Sequence, residues 1–431
     1  MSDNVRTNAC NEYNQISRRS VVGGLSFASI AATLGTPWLP KMAFAQSASQ
    51  RDVIISVYLR GGMDGLSAVV PFGDPNYYSI RSTTAVPRPD SSQSRKAINL
   101  DGYFGLHPGL AALLPAYNAG DLLFVHAVGA QNWSRSHFDA QRWMEVGKVE
   151  DPNMTTGWLG RHLAMTEPRT ANAPLRAMSL TNGMVRTLLG APKALPVNDP
   201  DDFGFAGGFD NEDELSLWIG RAYNRMNDVT TAAVRDTRNI VQRLDAINFS
   251  GYAGRGGAVY PDTSFGYALK CTAAMMAANL GLEAVHIDKD GWDTHSDQGT
   301  LSGGFNDLVT DLGNSLGAFY RDMAARGNLR WTLVVISEFG RTAIENGAQG
   351  TDHGTGNCMF VMGGGVRGGR VLRTWPGLHR DQLYQRIDLA STIDFRDVLS
   401  EVVRKRLLNT RLGEIFPGYS PRFRGVVDMV A

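Results

Sequence analysis

Cysteine is scarce in this chain: three in 431 residues, at Cys10, Cys271 and Cys358. That excludes a disulfide scaffold, and their spacing does not suit cysteine-based zinc ligation. Neither sign of charge prevails, since 42 Lys plus Arg balance 42 Asp plus Glu. A neutral chain sets up no global field for nucleic acid or anionic lipid. No basic run or basic–aromatic interleaving supplies a local one, so nucleic-acid binding is not expected. Beyond the N-terminal segment no apolar run is long enough to cross a bilayer. Internal repeats and low-complexity segments are also missing.

The N-terminus reads as a targeting segment. Ser17-Arg18-Arg19-Ser20-Val21-Val22 carries the paired arginines of a twin-arginine signal. A modest apolar stretch follows over 21–39, and Ala43-Phe44-Ala45 gives a small-x-small cleavage site. Residues 1–45 are therefore expected to direct export to the periplasm or beyond, leaving 46–431 as the folded protein. Cys10 falls within the signal. Cys271 and Cys358 sit in apolar segments and are expected to be buried, although two cysteines in an exported protein can also pair.

Strand-like and helix-like segments alternate. Apolar, β-branched runs occupy 53–59, 122–128, 284–287, 331–337 and 358–362, with shorter candidates at 177–180 and 194–197. Helical spacing appears over 110–119, 136–147, 267–280 and 306–326, and Asp394 is placed to cap a last helix. Such alternation predicts an α/β protein: a three-layer sandwich with a mainly parallel sheet and helices on both faces. Residues 200–257 change character, an acidic Gly-rich loop leading into two polar helices near 212–224 and 229–248. That stretch is a candidate helical cap inserted into the core, 46–431 otherwise forming one domain.

Several of the strand-like runs end in polar residues, and open α/β sheets bind ligands just beyond the carboxyl ends of their strands. The first run leads into Gly61-Gly62-Met63-Asp64-Gly65, where glycines permit close backbone approach and Asp64 is a candidate ligand. An Asp-Gly turn is the plainer account of Asp64. Asp293-Thr294-His295 follows the run at 284–287 and offers one oxygen and one nitrogen, a set suited to zinc, manganese or iron. Glu338 and Arg341 follow the run at 331–337; the carboxylate suits a metal and the guanidinium an oxyanion, or the two simply pair. Asp352-His353, flanked by Gly350, Gly354 and Gly356, is the most specific single signal. Ser136-His137-Phe138-Asp139 opens a helix directly after a strand. A hydroxyl there meets backbone N–H groups that stabilise an oxyanion, although Ser-x-x-Asp is equally a capping box. Arg135 is a candidate contact for an anionic substrate, and Ser134 is a rival nucleophile. His107, His126, His162, His286 and His379 lack such neighbours and read as structural or surface residues.

These segments resemble the exported family catalogued as domain of unknown function 1501. The resemblance rests on Leu59-Arg-Gly-Gly-Met-Asp-Gly-Leu66, Arg135-Ser-His-Phe-Asp-Ala-Gln141, Gly157-Trp-Leu-Gly-Arg161, Gly291-Trp-Asp-Thr-His295, Ser337-Glu-Phe-Gly-Arg-Thr342, Thr351-Asp-His-Gly-Thr-Gly-Asn357 and Asp394-Phe-Arg396. That family looks like a branch of the alkaline phosphatase and sulfatase superfamily. The resemblance implies an alkaline phosphatase-like sandwich and hydrolysis of phosphate or sulfate esters. It implies a divalent metal (zinc, manganese or calcium) on Asp64, Asp293, His295 and His353 with Asp352, to which the reading of the residues adds Glu338 as a candidate ligand. Ser136 would be the nucleophile, with Arg135 and Arg341 steadying charge. Two departures stand out. Glu338-Phe339 occupies the place where the superfamily usually has Asp-His, and no Cys-x-Pro-x-Arg segment supplies a formylglycine. A phosphomutase is a weaker version of the same chemistry. The alternative is a non-catalytic exported protein that keeps the fold to bind a protein partner or a surface polymer.

Overall fold

The computed structural model describes residues 50–130, 134–203, 229–327 and 330–430. The signal segment at 1–45 and the polar helix expected at 212–224 lie outside the described residues.

The core is a nine-stranded mixed sheet. Its strands are β1 (Val53–Leu59), β2 (Leu122–Gly129), β3 (Ala177–Ser179), β4 (Ala194–Pro196), β5 (Ala284–Lys289), β6 (Trp331–Ser337), β7 (Asn357–Gly363), β8 (Arg370–Leu372) and β9 (Ile393–Asp394). They lie in the order β8-β2-β7-β6-β1-β5-β3-β4, with β9 also pairing β2. β1, β2, β6 and β7 are buried along their whole length, which is why they read as unbroken apolar runs.

Helices cover both faces. On one, Ile54, Val125, Val334, Ile336 and Val361 pack with Met144 of α1 (His137–Val146), with Trp158, Leu159 and Leu163 of α2 (Trp158–Ala164), and with residues of α6 (Phe395–Lys405). α6 contributes Phe395, Val398, Leu399 and Val402, each stabilising the fold by about 1.5–3 kcal/mol when fully buried. Asp394 caps α6 as expected, accepting from the Arg396 N–H at 2.9 Å. Alternate side chains of the same strands meet the opposite layer. Trp331 packs edge-on against Phe319 of α5 (Gly304–Ala325) at 5.1 Å, and the Lys289 ammonium lies over Phe265 of α4 (Ser264–Ala277). The segment 110–119 is a 3-10 turn, Pro108–Leu113, followed by a short helix, Leu114–Asn118; Pro108 and Pro115 each open one piece. Its Tyr117 stacks on Phe124. Cys271 and Cys358 are both buried and free.

The sheet has one reversal. β7 runs antiparallel to both of its neighbours, β2 and β6, while the other pairings are parallel. A parallel crossover would need a long return across a face, whereas an antiparallel neighbour can be reached along one edge. The connection 338–356 therefore stays beside the C-terminal ends of β1, β5 and β6. Every loop that carries a candidate site residue opens on that edge.

The chain falls into two compact units. Residues 45–203 and 242–431 form the larger, which holds the sheet. The described part of the other is 229–241, the opening stretch of α3 (Val229–Asp245).

Candidate metal centre

Asp293 is the point on which the site converges. Its Oδ1 lies 3.0 Å from His295 Nε2 and 3.1 Å from His353 Nε2, and accepts from Arg341 Nη2 at 2.5 Å. Its Oδ2 faces His137 Nε2 at 3.6 Å, too far for a hydrogen bond, and that buried nitrogen has no hydrogen-bond partner among the described residues. The ligand atoms of His137, Asp293 and His353 all lie within 4.8 Å of one another, a group able to hold a metal ion.

The tautomers follow from what lies behind each ring. His137 Nδ1 meets Glu338 Oε1 at 2.9 Å, His295 Nδ1 meets Asp352 Oδ1 at 2.7 Å, and His353 Nδ1 meets the Arg135 carbonyl at 2.8 Å. Ionised carboxylates and carbonyls only accept, so each Nδ1 carries the hydrogen. In the neutral rings every Nε2 then presents a lone pair toward Asp293. His295 Nε2 and His353 Nε2 stand 2.9 Å apart, a repulsive approach for two lone pairs. Either a proton or a cation must lie between them. An outer carboxylate or carbonyl that fixes a ring for its metal is the usual support of a histidine ligand. The residues present therefore fit a divalent ion.

The loops are shaped for this convergence. Gly61, at φ +117°, brings its α-carbon so near Asp293 that an added Cβ would lie 2.6 Å from the Asp293 nitrogen. At Gly354 a Cβ would lie 2.4 Å from the Arg341 carbonyl carbon. Phe339 forms an apolar floor, its ring 4.9 Å from that of His137 and 4.8 Å from that of His353.

The electrostatics favour negative charge at the centre. Burial alone would raise the carboxyl of Asp293, but His137, His295, His353 and Arg341 outweigh it and hold it far below the usual range. Burial opposes charge on His137, yet the carboxylates of Asp293 and Glu338 lift it to about 9. Asp293 similarly raises His295.

Asp293, His295 and His353 are thus brought together as expected from the sequence, and the other positions need correction. Asp64 is not delivered to the cluster. It is buried and takes two hydrogen bonds from Arg81, at 2.5 and 3.0 Å, with others from Ser67 and Gln298. Glu338 and Asp352 stand behind His137 and His295 rather than beside Asp293. Glu338 Oε1 also accepts from Gly61 N at 2.8 Å and from Gln141 Nε2 at 2.9 Å, Gln141 being oriented by Arg60. Arg341 is buried and cannot receive a substrate oxyanion. Its donors are engaged by the carbonyls of Gly61, Gly62, Trp292 and Thr351 and by Asp293, so it clamps three loops.

Ser136 and Arg135 flank His137. Ser136 is half-buried at the N-cap of α1, but its hydroxyl makes no capping bond. Ser134 Oγ accepts from the Ser136 N–H at 3.1 Å and donates to Asp139 at 3.3 Å, so the capping box, the alternative account of Ser136 and Asp139, does not form. The Arg135 side chain is 42% exposed. His137 itself was not foreseen as a ligand. Its one legible signal is its place, the first residue of a helix that starts just beyond a buried strand.

A family model described as a protein of unknown function (DUF1501) matches residues 130–406. The chain belongs to that family. The DUF1501 match takes in His137, Asp293, His295, Glu338 and His353 and leaves out β1 and Asp64. No curated protein matches the chain. Among solved structures, the DUF1501 chain is similar to the lipoteichoic acid synthase LtaP from Listeria monocytogenes, at 9% identity and a TM-score of 0.31. That similarity covers 78% of this chain and 70% of that one.

Proposed function

We propose that this DUF1501 protein is an exported, metal-dependent hydrolase of phosphate or sulfate esters. The observation that carries the reading is the convergence of three imidazole Nε2 atoms on Asp293, each ring held from behind through its Nδ1. His137, Asp293, His295 and His353 would hold the ion. Imidazole-rich sets suit zinc, manganese or iron, whereas calcium prefers six to eight oxygens. A divalent ion bound there would polarise the ester and lower the pKa of a nearby hydroxyl.

The chain's own residues have separable tasks. Ser136 is the nucleophile: its hydroxyl is free of capping duty and sits one residue from His137, at the N-terminus of a ten-residue helix. The N–H groups and dipole of that helix favour an anion. Arg135 steadies the negative charge of the substrate from the exposed rim. Asp293 and Arg341 fix the loops, and Phe339 keeps one side of the centre dry.

Metal analysis of the purified protein tests the reading first. Roughly one equivalent of a transition metal is expected; less than about a tenth removes the basis for it. Ser136→Ala should then abolish turnover of p-nitrophenyl phosphate or sulfate. Stability should change by no more than about 0.5 kcal/mol, because no cap is lost. Full turnover in that variant would reassign Ser136. Metal-free protein that binds a surface polymer or an exported protein with undiminished affinity would favour a binding role instead. Among the described residues no helix is long and apolar enough to cross a membrane.

A further inference from the structure

The buried aspartates of this protein share a habit that one of them breaks. Asp52 accepts from Arg406 at 2.8 and 3.0 Å and from Thr332 at 2.7 Å. Asp394 takes Arg396 on both oxygens at 2.8 Å, and Asp64 is closed by Arg81, Ser67 and Gln298. Asp388 is as deeply buried, its side chain 0% exposed, yet among the described residues its Oδ1 has no hydrogen-bond partner. Its Oδ2 holds only the Arg135 guanidinium, at 3.3 Å. Leaving half a buried carboxylate unsatisfied is unfavourable and calls for a reason.

The turn that presents Asp388 is unusual as well. Tyr384 and Asp388 exchange backbone hydrogen bonds at 2.8 and 3.0 Å. Between them Gln385 and Arg386 adopt left-handed backbone, φ 50° and 65°, a pair of conformations normally given to Asn and Gly. Such strain persists only where the surroundings impose it, and it gathers at ligand clamps. Gln385 Oε1 meets the same Arg135 nitrogen at 3.3 Å. The turn is braced against the metal-centre loops, because Ala343 N donates to the Ile387 carbonyl and Thr342 bridges Asp388. Arg135 is braced from the other side, its carbonyl accepting from His353 Nδ1. Asp388 and Gln385 thus hold the guanidinium of a residue whose own backbone braces His353.

We propose that Asp388 and Gln385 are positioning residues that hold Arg135 at the mouth of the centre to receive the tetrahedral oxyanion of the substrate, phosphate or sulfate. This rests on the ester-hydrolase reading and adds to it the residues that set anion affinity. The arriving anion takes a charge-assisted hydrogen bond from the exposed side of the guanidinium, while Asp388 and Gln385 keep their contacts to it. Asp388 stays behind Arg135 and keeps the head from swinging into solvent.

The test is calorimetric titration of zinc-loaded, desalted protein with inorganic phosphate and with sulfate, comparing wild type, Asp388→Asn, Arg135→Ala and the double variant. Bare electrostatics predicts that removing a carboxylate near an anion site tightens binding. Positioning predicts the reverse: Asp388→Asn weakens phosphate by about tenfold, the scale of one charge-assisted hydrogen bond. Zinc content should be unchanged, and the double variant should be no worse than Arg135→Ala. Unchanged or tighter binding in Asp388→Asn overturns the proposal, as does an undiminished effect of that change when Arg135 is already absent. Should Asp388→Asn not fold, Gln385→Leu removes the other contact without touching the buried carboxylate, and unchanged phosphate affinity there overturns it equally. Wild-type protein that binds neither anion sinks this inference and the hydrolase reading together. Anion binding in wild type that survives intact in Asp388→Asn sinks the inference alone.

Discussion

Glu338→Gln isolates what the buried carboxylate does for the centre. Glu338 is 3% exposed, and one of its oxygens accepts from His137 Nδ1, Gly61 N and Gln141 Nε2 within 2.8–2.9 Å. The amide of Gln has nearly the same shape and still offers one oxygen to those donors, so the fold should survive. Its NH2 side would face Ser337 Oγ, which now donates to Glu338 at 3.1 Å. What disappears is the charge. A hydrogen bond to a charged group contributes about 1.5–3 kcal/mol against about 0.5–1.5 for a neutral one. The difference, roughly 1–1.5 kcal/mol, corresponds to about tenfold in affinity. Loss of an outer-shell partner typically weakens metal binding by about 10- to 100-fold. Zinc affinity measured by competition with a chromophoric chelator, on metal-stripped protein at neutral pH, should therefore fall by at least about tenfold. Glu338→Ala is the poorer probe, since it leaves three buried donors unpaired at about 1–3 kcal/mol each. If Glu338→Gln binds zinc within about twofold of wild type, Glu338 does not tune His137, and the reasoning from carboxylate to imidazole fails.

Stability of the metal-free protein should depend on pH through His137, whose folded-state value of about 9 lies above its ordinary 6.5. The stabilisation is fully present below 6.5 and is lost as pH rises through about 9, on the order of 2–3 kcal/mol in chemical denaturation. Zinc-loaded protein should lack that decline, because the ion replaces the proton; an equal decline in both forms would refute the assignment. Gly61→Ala should weaken zinc binding by more than about tenfold, since its Cβ would press on the backbone that carries Asp293; wild-type affinity would show that the loops yield freely. Asp64→Asn should cost about 3–5 kcal/mol by leaving the Arg81 charge buried without its partner. Zinc stoichiometry should hold, and a stable Asp64→Asn protein that no longer binds metal would return Asp64 to the ligand set.

The strands were legible because burial on both faces demands unbroken apolar runs. The run at 331–337 coincides with β6 and the run at 53–59 with β1. Direction was not legible. Nothing in Asn357–Gly363 distinguishes an antiparallel strand from a parallel one when both faces are covered. The helix expected over 267–280 runs over Ser264–Ala277, because Thr263 caps it by accepting from Gly266 N at 3.0 Å. Thr263 stands among other small polar residues and gives no signal beyond its type. Arg81 lies in a stretch, 72–96, rich in Pro, Ser, Arg and Asp, a composition typical of surface loops, yet it is fully buried against Asp64. Only tertiary contact reveals such a pair.

The distinction the sequence could not draw is between residues at the centre and residues one layer behind it. Asp293, Glu338 and Asp352 are all carboxylates on Gly-rich loops at one sheet edge, and as letters they are equivalent. Space separates them. Asp293 meets three Nε2 atoms, whereas Glu338 and Asp352 meet Nδ1 atoms of two of the same rings. A histidine ligand needs one nitrogen presented and the other held, so a centre with several imidazoles must recruit about as many acceptors as it has rings. An excess of Asp and Glu over plausible ligands is thus what a histidine-rich site should look like in sequence. The Glu338-Phe339 departure then has a physical account. Glu338 supplies the acceptor for His137, and Phe339 supplies the floor on which His137 and His353 rest. Both residues serve the imidazoles of one centre.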